Sequence, residues 1–261
     1  MGCCKNENSE IMKCALSLII SLLLSCPFWA QKPFNSSVNG HSHNDYVQKH
    51  PFKTAFEAHM GSVEADVFLV NNNLYVAHEA KEINPKYTLE DLYLKPIIEA
   101  IQAGKAYPMV LLIDVKSQAD STLDVVVQQI ASYPLFLNEK CPVQFIISGN
   151  RPKTEKWATY PTFIQFDGRP NEIYTPETWQ RVGIVSQSFE KYIGKKGQKD
   201  IDNATFEKMK AVVDTIHAQG KKVRFWATTD KKSVWKALAK MSVDFINTDK
   251  PRRLKSFLRS K

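Results

Sequence analysis

The chain has 261 residues, 43% hydrophobic and 24% charged, which excludes a disordered or low-complexity chain and leaves room for one large core. Ten Gly and thirteen Pro, with no repeating period, exclude collagen, coiled coil and solenoid. The net charge of +8 resides in the last third, where residues 191–261 carry 19 Lys and Arg against seven Asp and Glu; such a surface draws anions, yet no aromatic-interleaved basic motif points to nucleic acid.

In chain order, residues 1–30 read as a signal segment. The apolar run CALSLIISLLLSCPFWA, Cys14 to Ala30, is short for a membrane span of ~20 residues, and Met12-Lys13 before it has the form of an n-region, which marks Met12 as a candidate start. Leu23-Leu24-Ser25-Cys26 resembles a lipobox, which would make the product a lipoprotein at Cys26. Phe28-Trp29-Ala30 before Gln31 resembles a conventional cleavage junction, and the expectation is plain export, secreted or periplasmic. Met1-Gly2-Cys3-Cys4 is a weak myristoylation signal, because Asn6 stands where Ser or Thr is wanted. Four of the five cysteines lie in this leader. A cleaved chain keeps Cys141 alone, so it has no internal disulfide, and no Cys-x-x-Cys zinc pattern occurs.

Residues 31–261 read as one domain. A strand is expected before HSHNDY, then SVEADVFLV (62–70) with a hairpin return LYVAH (74–78), MVLLIDVK (109–116), VQFIISG (143–149), TFIQFDG (162–168), IVSQSF (184–189), KVRFWATT (222–229) and DFINTD (244–249). Helical spacing of apolar residues marks 89–102, 123–131 and 204–219, the last ending at Gly220. Eight strands separated by helices predict an α/β fold of the (β/α)₈ TIM-barrel type, and no Gly-x-Gly-x-x-Gly supports a dinucleotide site.

Polar residues gather at the expected C-terminal strand ends: His43 and Asn44 after strand one, Glu64 and Asp66 on strand two, His78 after its hairpin, Asp114 and Lys116 on the next strand. Later strands offer Asp167, Arg169, Trp226 and Asp249. Glu64 and Asp66 are two apart, so on a strand they share a face. Two such acids repel each other and resist desolvation unless a cation neutralises them. On its own a Glu-x-Asp pair would be a structural salt-bridge partner, for example of Lys116 or Arg224. With Asp114 and no thiolate, the donor set suits a hard divalent cation, Mg²⁺ or Ca²⁺. His43 and His78, able to exchange protons near neutrality, flank it as a general base and general acid suited to phosphodiester cleavage. His41, His50, His59 and His217 read as structural.

In the motifs HNDY (43–46), GSVEADVFL (61–69), VAHE (76–79), LLIDVK (111–116), FWATTD (225–230) and VDFINTDKP (243–251), the chain resembles the phospholipase-C-like phosphodiesterase superfamily of TIM barrels. That superfamily includes glycerophosphodiester phosphodiesterases, phosphatidylinositol phospholipases C and sphingomyelinases D. The nearest likeness is to the altered-inheritance-of-mitochondria family. The resemblance implies that His43 and His78 are the acid–base pair, that Glu64, Asp66 and Asp114 hold the metal with Asn44, and that Lys116 contacts the phosphate. Trp226 matches a pocket-wall aromatic, and Arg169 joins it as a substrate-binding candidate. Pro51-Phe52-Lys53-Thr54 stands where glycerophosphodiesterases carry a Pro-Glu-Asn-Thr with a metal-binding Glu, and Asp114 stands where they mostly carry Glu. Both departures loosen the expectation of a glycerophosphodiester and leave a small phosphodiester or phospholipid substrate, with peripheral contact to an anionic membrane. The alternative is a non-catalytic barrel that binds phosphorylated ligands or anionic membrane.

Overall fold

Strand-forming β-branched runs and amphipathic helices alternate through the computed structural model, which describes residues 39–194 and 201–260. Residues 1–30, expected to be a signal segment with candidate processing sites at Cys26 and Ala30, lie outside the described residues. The strands are β1 (Gly40–Ser42), β2 (Ser62–Val70), β3 (Asn73–Val76), β4 (Met109–Val115), β5 (Val143–Gly149), β6 (Ile164–Gly168), β7 (Val182–Ser188), β8 (Lys222–Trp226) and β9 (Phe245–Thr248). The helices are α1 (Lys53–Glu57), α2 (Lys95–Gln102), α3 (Ala119–Ala131), α4 (Pro176–Gln180), α5 (Glu190–Ile193), α6 (Asn203–Ala218), α7 (Lys232–Lys240) and α8 (Pro251–Arg259).

Eight strands are parallel in the order β1-β9-β8-β7-β6-β5-β4-β2, and β1 pairs with both β9 and β2, closing the sheet into a TIM barrel. β3 returns antiparallel on β2. Asn71 and Asn72 both take positive φ, 48° and 61°, the conformation of a two-residue hairpin turn whose twist matches the strands.

Several expected elements have shifted bounds, and in two of them the cause is local. The run 222–229 leaves the sheet at Trp226, because Ala227 takes φ 57°, a conformation a continuing strand cannot hold. The helix expected over 89–102 becomes regular only at Lys95. Pro96 has no amide hydrogen to donate, and the preceding turn is wide, with the Lys95 amide bonding back to Glu90. By contrast α6 starts on an Asp202 side chain that accepts from the Thr205 amide at 2.7 Å, and it stops where Gly220 takes φ 72°.

Strand alternation divides the core in two. Outward-facing residues such as Val63, Ala65, Leu111 and Ile113 pack against the helices, whereas Val110, Leu112, Ile146, Ile184 and Phe245 form a separate apolar cluster that floors the barrel. Polar residues occupy the same inward-facing rows nearer the C-terminal strand ends.

Candidate active site

Glu64 and Asp66 lie on one face of β2, and Asp66 sits directly beside Asp114 in the parallel pairing of β2 with β4. Each of the three carboxylates offers an oxygen within 4.8 Å of the others. Gly149 makes room for this approach. It ends β5 at φ 69°, and a Cβ there would strike the Asp114 carboxylate and the Val115 backbone.

Three carboxylates in so small a space must be compensated, and the chain supplies two cations. Arg224, buried on β8, donates to Glu64 Oε2 at 2.6 Å. Burial opposes the Glu64 charge, but the guanidinium and the His41 ring outweigh it and hold this carboxyl well below its usual range. His41 is fully buried, 2.8 Å from Glu64 and 2.7 Å from Arg224. Burial, reinforced by Arg224, lowers its pKa to about 4, so the ring is neutral, and its Nδ1 lies 2.8 Å from Ser62 Oγ. Lys116 bridges the other two acids, 3.1 Å from Asp66 and in direct contact with Asp114. Even so, burial and the Glu64 charge push Asp114 up to about 6 and raise Asp66 in the same way. Lysine alone does not quench that pair.

His43 and Asn44 follow β1. The His43 amide donates to Thr248 O at 3.0 Å, and its Nδ1 stands 2.7 Å from Asp249 Oδ1. Burial disfavours the charged ring, but the Asp249 hydrogen bond and the nearby Glu64 charge prevail and raise its pKa. Asn44 takes a left-handed conformation, φ 47°, which turns the chain at the barrel mouth. The Tyr46 hydroxyl joins several of these groups. It donates to Asp66 Oδ2 at 2.9 Å, lies 3.0 Å from Asn44 Oδ1 and 3.3 Å from His78 Nδ1. Burial and the Asp66 charge raise its pKa, so the phenol stays a donor. His78 Nδ1 is also 3.3 Å from Asp66, and its ring is 57% exposed.

The fold therefore brings Asn44, Glu64, Asp66, His78, Asp114 and Lys116 into one connected network, with His43 hydrogen-bonded beside Asn44 through Asp249. Lys116 spends its ammonium on the acids. Arg169 is engaged with Asp167 at 2.7 Å and with the Gly168 carbonyl at 2.9 Å. Trp226 stands at the end of β8, 39% exposed, on the rim and not in the core. Sequence reasoning assigned no site role to Tyr46, Asp249, His41 or Arg224. For Tyr46 the signal was its place in HNDY; for Arg224, its inward register on β8, two residues before Trp226.

Residues 35–107 match the AIM6-like phosphodiesterase domain, and residues 222–252 match the glycerophosphoryl diester phosphodiesterase family. The altered inheritance of mitochondria protein 6 homolog of Arthroderma benhamiae is 27% identical over 254 residues, which cover 80% of each chain. Altered inheritance of mitochondria protein 6 of Eremothecium gossypii is 27% identical over 259 residues, 80% of this chain and 66% of its own. A crystal structure of a glycerophosphodiester phosphodiesterase from Parabacteroides distasonis shares the fold at a TM-score of 0.58 and 17% identity, over 85% of this chain and 97% of that one. In its fold and in these two partial matches the chain is similar to the phospholipase-C-like phosphodiesterase superfamily of TIM barrels. Within that superfamily, the likeness is to the AIM6-like phosphodiesterase domain and the altered-inheritance-of-mitochondria proteins.

Proposed function

We propose that the protein is a metal-dependent phosphodiesterase acting on a glycerophosphodiester or phospholipid-type substrate. The observation that carries this is the convergence of Glu64, Asp66 and Asp114 at the barrel mouth, with one imidazole touching the trio and a second braced by Asp249. The donor set fits a hard divalent cation such as Mg²⁺ or Ca²⁺: all ligands are oxygens, and two of the acids stay poorly compensated despite Lys116. Glu64, Asp66 and Asp114 would hold the ion, with the Asn44 carbonyl oxygen nearby. When bound, it would supply positive charge to a non-bridging phosphate oxygen.

The chain's own groups account for the proton movements. Asp249 fixes the His43 ring through Nδ1 and commits Nε2 to the attacking hydroxyl, and the raised pKa makes this ring a stronger base than a free histidine. That hydroxyl is water or, where the substrate has a neighbouring OH, an internal one that closes a cyclic phosphate. His78 protonates the leaving oxygen, its ring steadied by Asp66 and Tyr46. A cation held by the acids would release Lys116 to meet the phosphate, and Arg169 and Trp226 would contact the substrate beside it. The leader reading adds export to the proposal, which sequencing of the mature N-terminus and palmitate labelling at Cys26 would test.

The pairing of Arg224 with Glu64 and of Lys116 with the other acids favours a second reading, a barrel that binds phosphorylated ligands without turnover. A panel of phosphodiesters with added Mg²⁺ or Ca²⁺, followed by phosphorus NMR, separates the two. Turnover identifies the bond cut and any cyclic product; ligand binding with no turnover supports the second reading.

A further inference from the structure

Beside the His43–Asp249 pair opens a cleft of about 480 Å³. One wall is the β1–α1 connection, with Gln48, Lys49, His50 and Thr54; the other is the end of β9 and the first turn of α8, with Asp249, Lys250, Arg252 and Arg253. The Gln48 side chain ties the walls together by donating to the Asp249 carbonyl at 2.8 Å. Four permanent cations and an imidazole thus face one space. Its single carboxylate, Asp249, is already engaged with His43.

Three of the four cations, Lys250, Arg252 and Arg253, stand where a helix start would ordinarily place acids. A helix start is the positive end of the backbone dipole and ordinarily carries Asp or Glu. The first turn of α8 has no acid, and it begins Lys-Pro-Arg-Arg instead. Arg252 is partly compensated by Glu57 at 3.2 Å, and Arg253 lies over the Trp235 ring at 5.6 Å, which fixes its position without neutralising it. Among the described residues, neither Lys49 nor Lys250 has a carboxylate within ion-pair distance. Like charges crowded against a helix's positive end, in a walled space next to a catalytic-type dyad, are suited to an anion that arrives from outside.

We propose that this cleft is a subsite for a phosphomonoester group, carried by the same ligand that presents its diester to the acidic trio. It rests on the phosphodiesterase reading for what lies alongside, and on the cleft itself for the anion. The ligand class is then a phosphodiester with a second, terminal phosphate, either a soluble headgroup or one displayed on a lipid surface.

Two binding measurements on the full chain test this. The first is calorimetric titration with sn-glycerol 3-phosphate at low ionic strength. The second is co-sedimentation with phosphatidylcholine vesicles, with and without phosphatidic acid. Each is run on wild type, on Lys49→Ala/Lys250→Ala, and on Lys105→Ala/Lys140→Ala, which removes two cations ahead of β4 and β5 at the opposite end of the barrel. The expected result is that the cleft variant loses roughly tenfold or more in affinity while the remote variant keeps it. Binding of glycerol 3-phosphate alone assigns a soluble ligand; binding of phosphatidic acid vesicles alone assigns a lipid headgroup. The proposal is overturned if wild type binds neither probe, if the cleft variant binds as wild type does, or if both variants lose affinity equally. Neither readout needs turnover, so a chain that cleaves no diester still reports on the cleft. Turnover of bis(4-nitrophenyl) phosphate without phosphomonoester binding would leave the enzyme and remove the subsite.

Discussion

His43 Nδ1 stands 2.7 Å from the Asp249 carboxylate, a contact that joins the loop after the first strand to the end of the last across 206 positions of sequence. Closure of the barrel makes it possible, because β1 and β9 are neighbours. An acid at Nδ1 selects the tautomer with a free lone pair on Nε2, the form a general base needs. Asp249→Asn reverses that preference whenever the amide presents its NH₂ to the ring. We expect turnover of a phosphodiester to fall roughly 10²-fold or more with little change in KM. Because the pair is half-exposed, unfolding free energy should shift by no more than about 1 kcal/mol. Steady-state kinetics with a urea melt check both; a wild-type rate in the variant would remove the dyad from the mechanism.

The acidic trio makes a separate prediction about metal. Excess chelator should abolish turnover and Mg²⁺ or Ca²⁺ should restore it, while Asp66→Asn in added metal should behave like wild type in chelator. A readout independent of activity is the melting temperature. An ion held a hundredfold above its Kd adds about 2.7 kcal/mol to stability, so wild type should melt higher with metal, and Asp66→Asn and Asp114→Asn should not. Full activity in chelator, or a metal-induced shift that survives both substitutions, would count against a shared site.

Arg224 answers to stability. It is buried with Glu64 at 2.6 Å, and removing one partner of such a pair leaves a charge with neither water nor counter-ion. Arg224→Met should lower unfolding free energy by roughly 3–5 kcal/mol in urea melts. Adding Glu64→Gln to that variant should recover part of the loss, since it removes the orphaned charge. Additive losses in the double variant would mean that the two side chains do not compensate each other.

The barrel was legible because its signals are local. Alternation along SVEADV places Glu64 and Asp66 on one face, and the next run of the same type carries Asp114 to the matching level. The motifs likewise named both histidines. What the sequence hid depends on closure. Arg224, named from the sequence only as one possible salt-bridge partner of the Glu64–Asp66 pair, reaches Glu64 from 160 positions away, and Asp249, given no partner there, reaches His43 from still farther. No periodicity within one element encodes those pairings. His41 was read as structural, and the fold buries it, yet it bonds directly to Glu64 beneath the site. The overlong strand over 222–229 came from Thr228 and Thr229, whose β-branched side chains favour extension. A left-handed Ala227 gives no such warning, because alanine carries no preference for that conformation.

Away from the mouth, His217 offers a prediction in pH. It lies in the last turn of α6, 2.8 Å from Asp244, which also accepts from the Val223 amide at 2.8 Å. The Asp244 hydrogen bond raises the ring's pKa above 6.5; burial opposes this, and the Asp244 charge adds to it. A folded-state pKa above the unfolded value means that the stabilisation is complete below pH 6.5 and is lost as pH rises through the folded value. A protonated ring at a helix C-terminus is also favoured by the backbone dipole. Wild type should therefore exceed His217→Gln by about 1 kcal/mol in mildly acidic solution, with the gap narrowing once the ring deprotonates. Urea melts of both proteins on either side of neutrality measure it. A gap that is constant, or that widens with rising pH, would mean that the ring is neutral throughout and that its contact with Asp244 is an ordinary hydrogen bond.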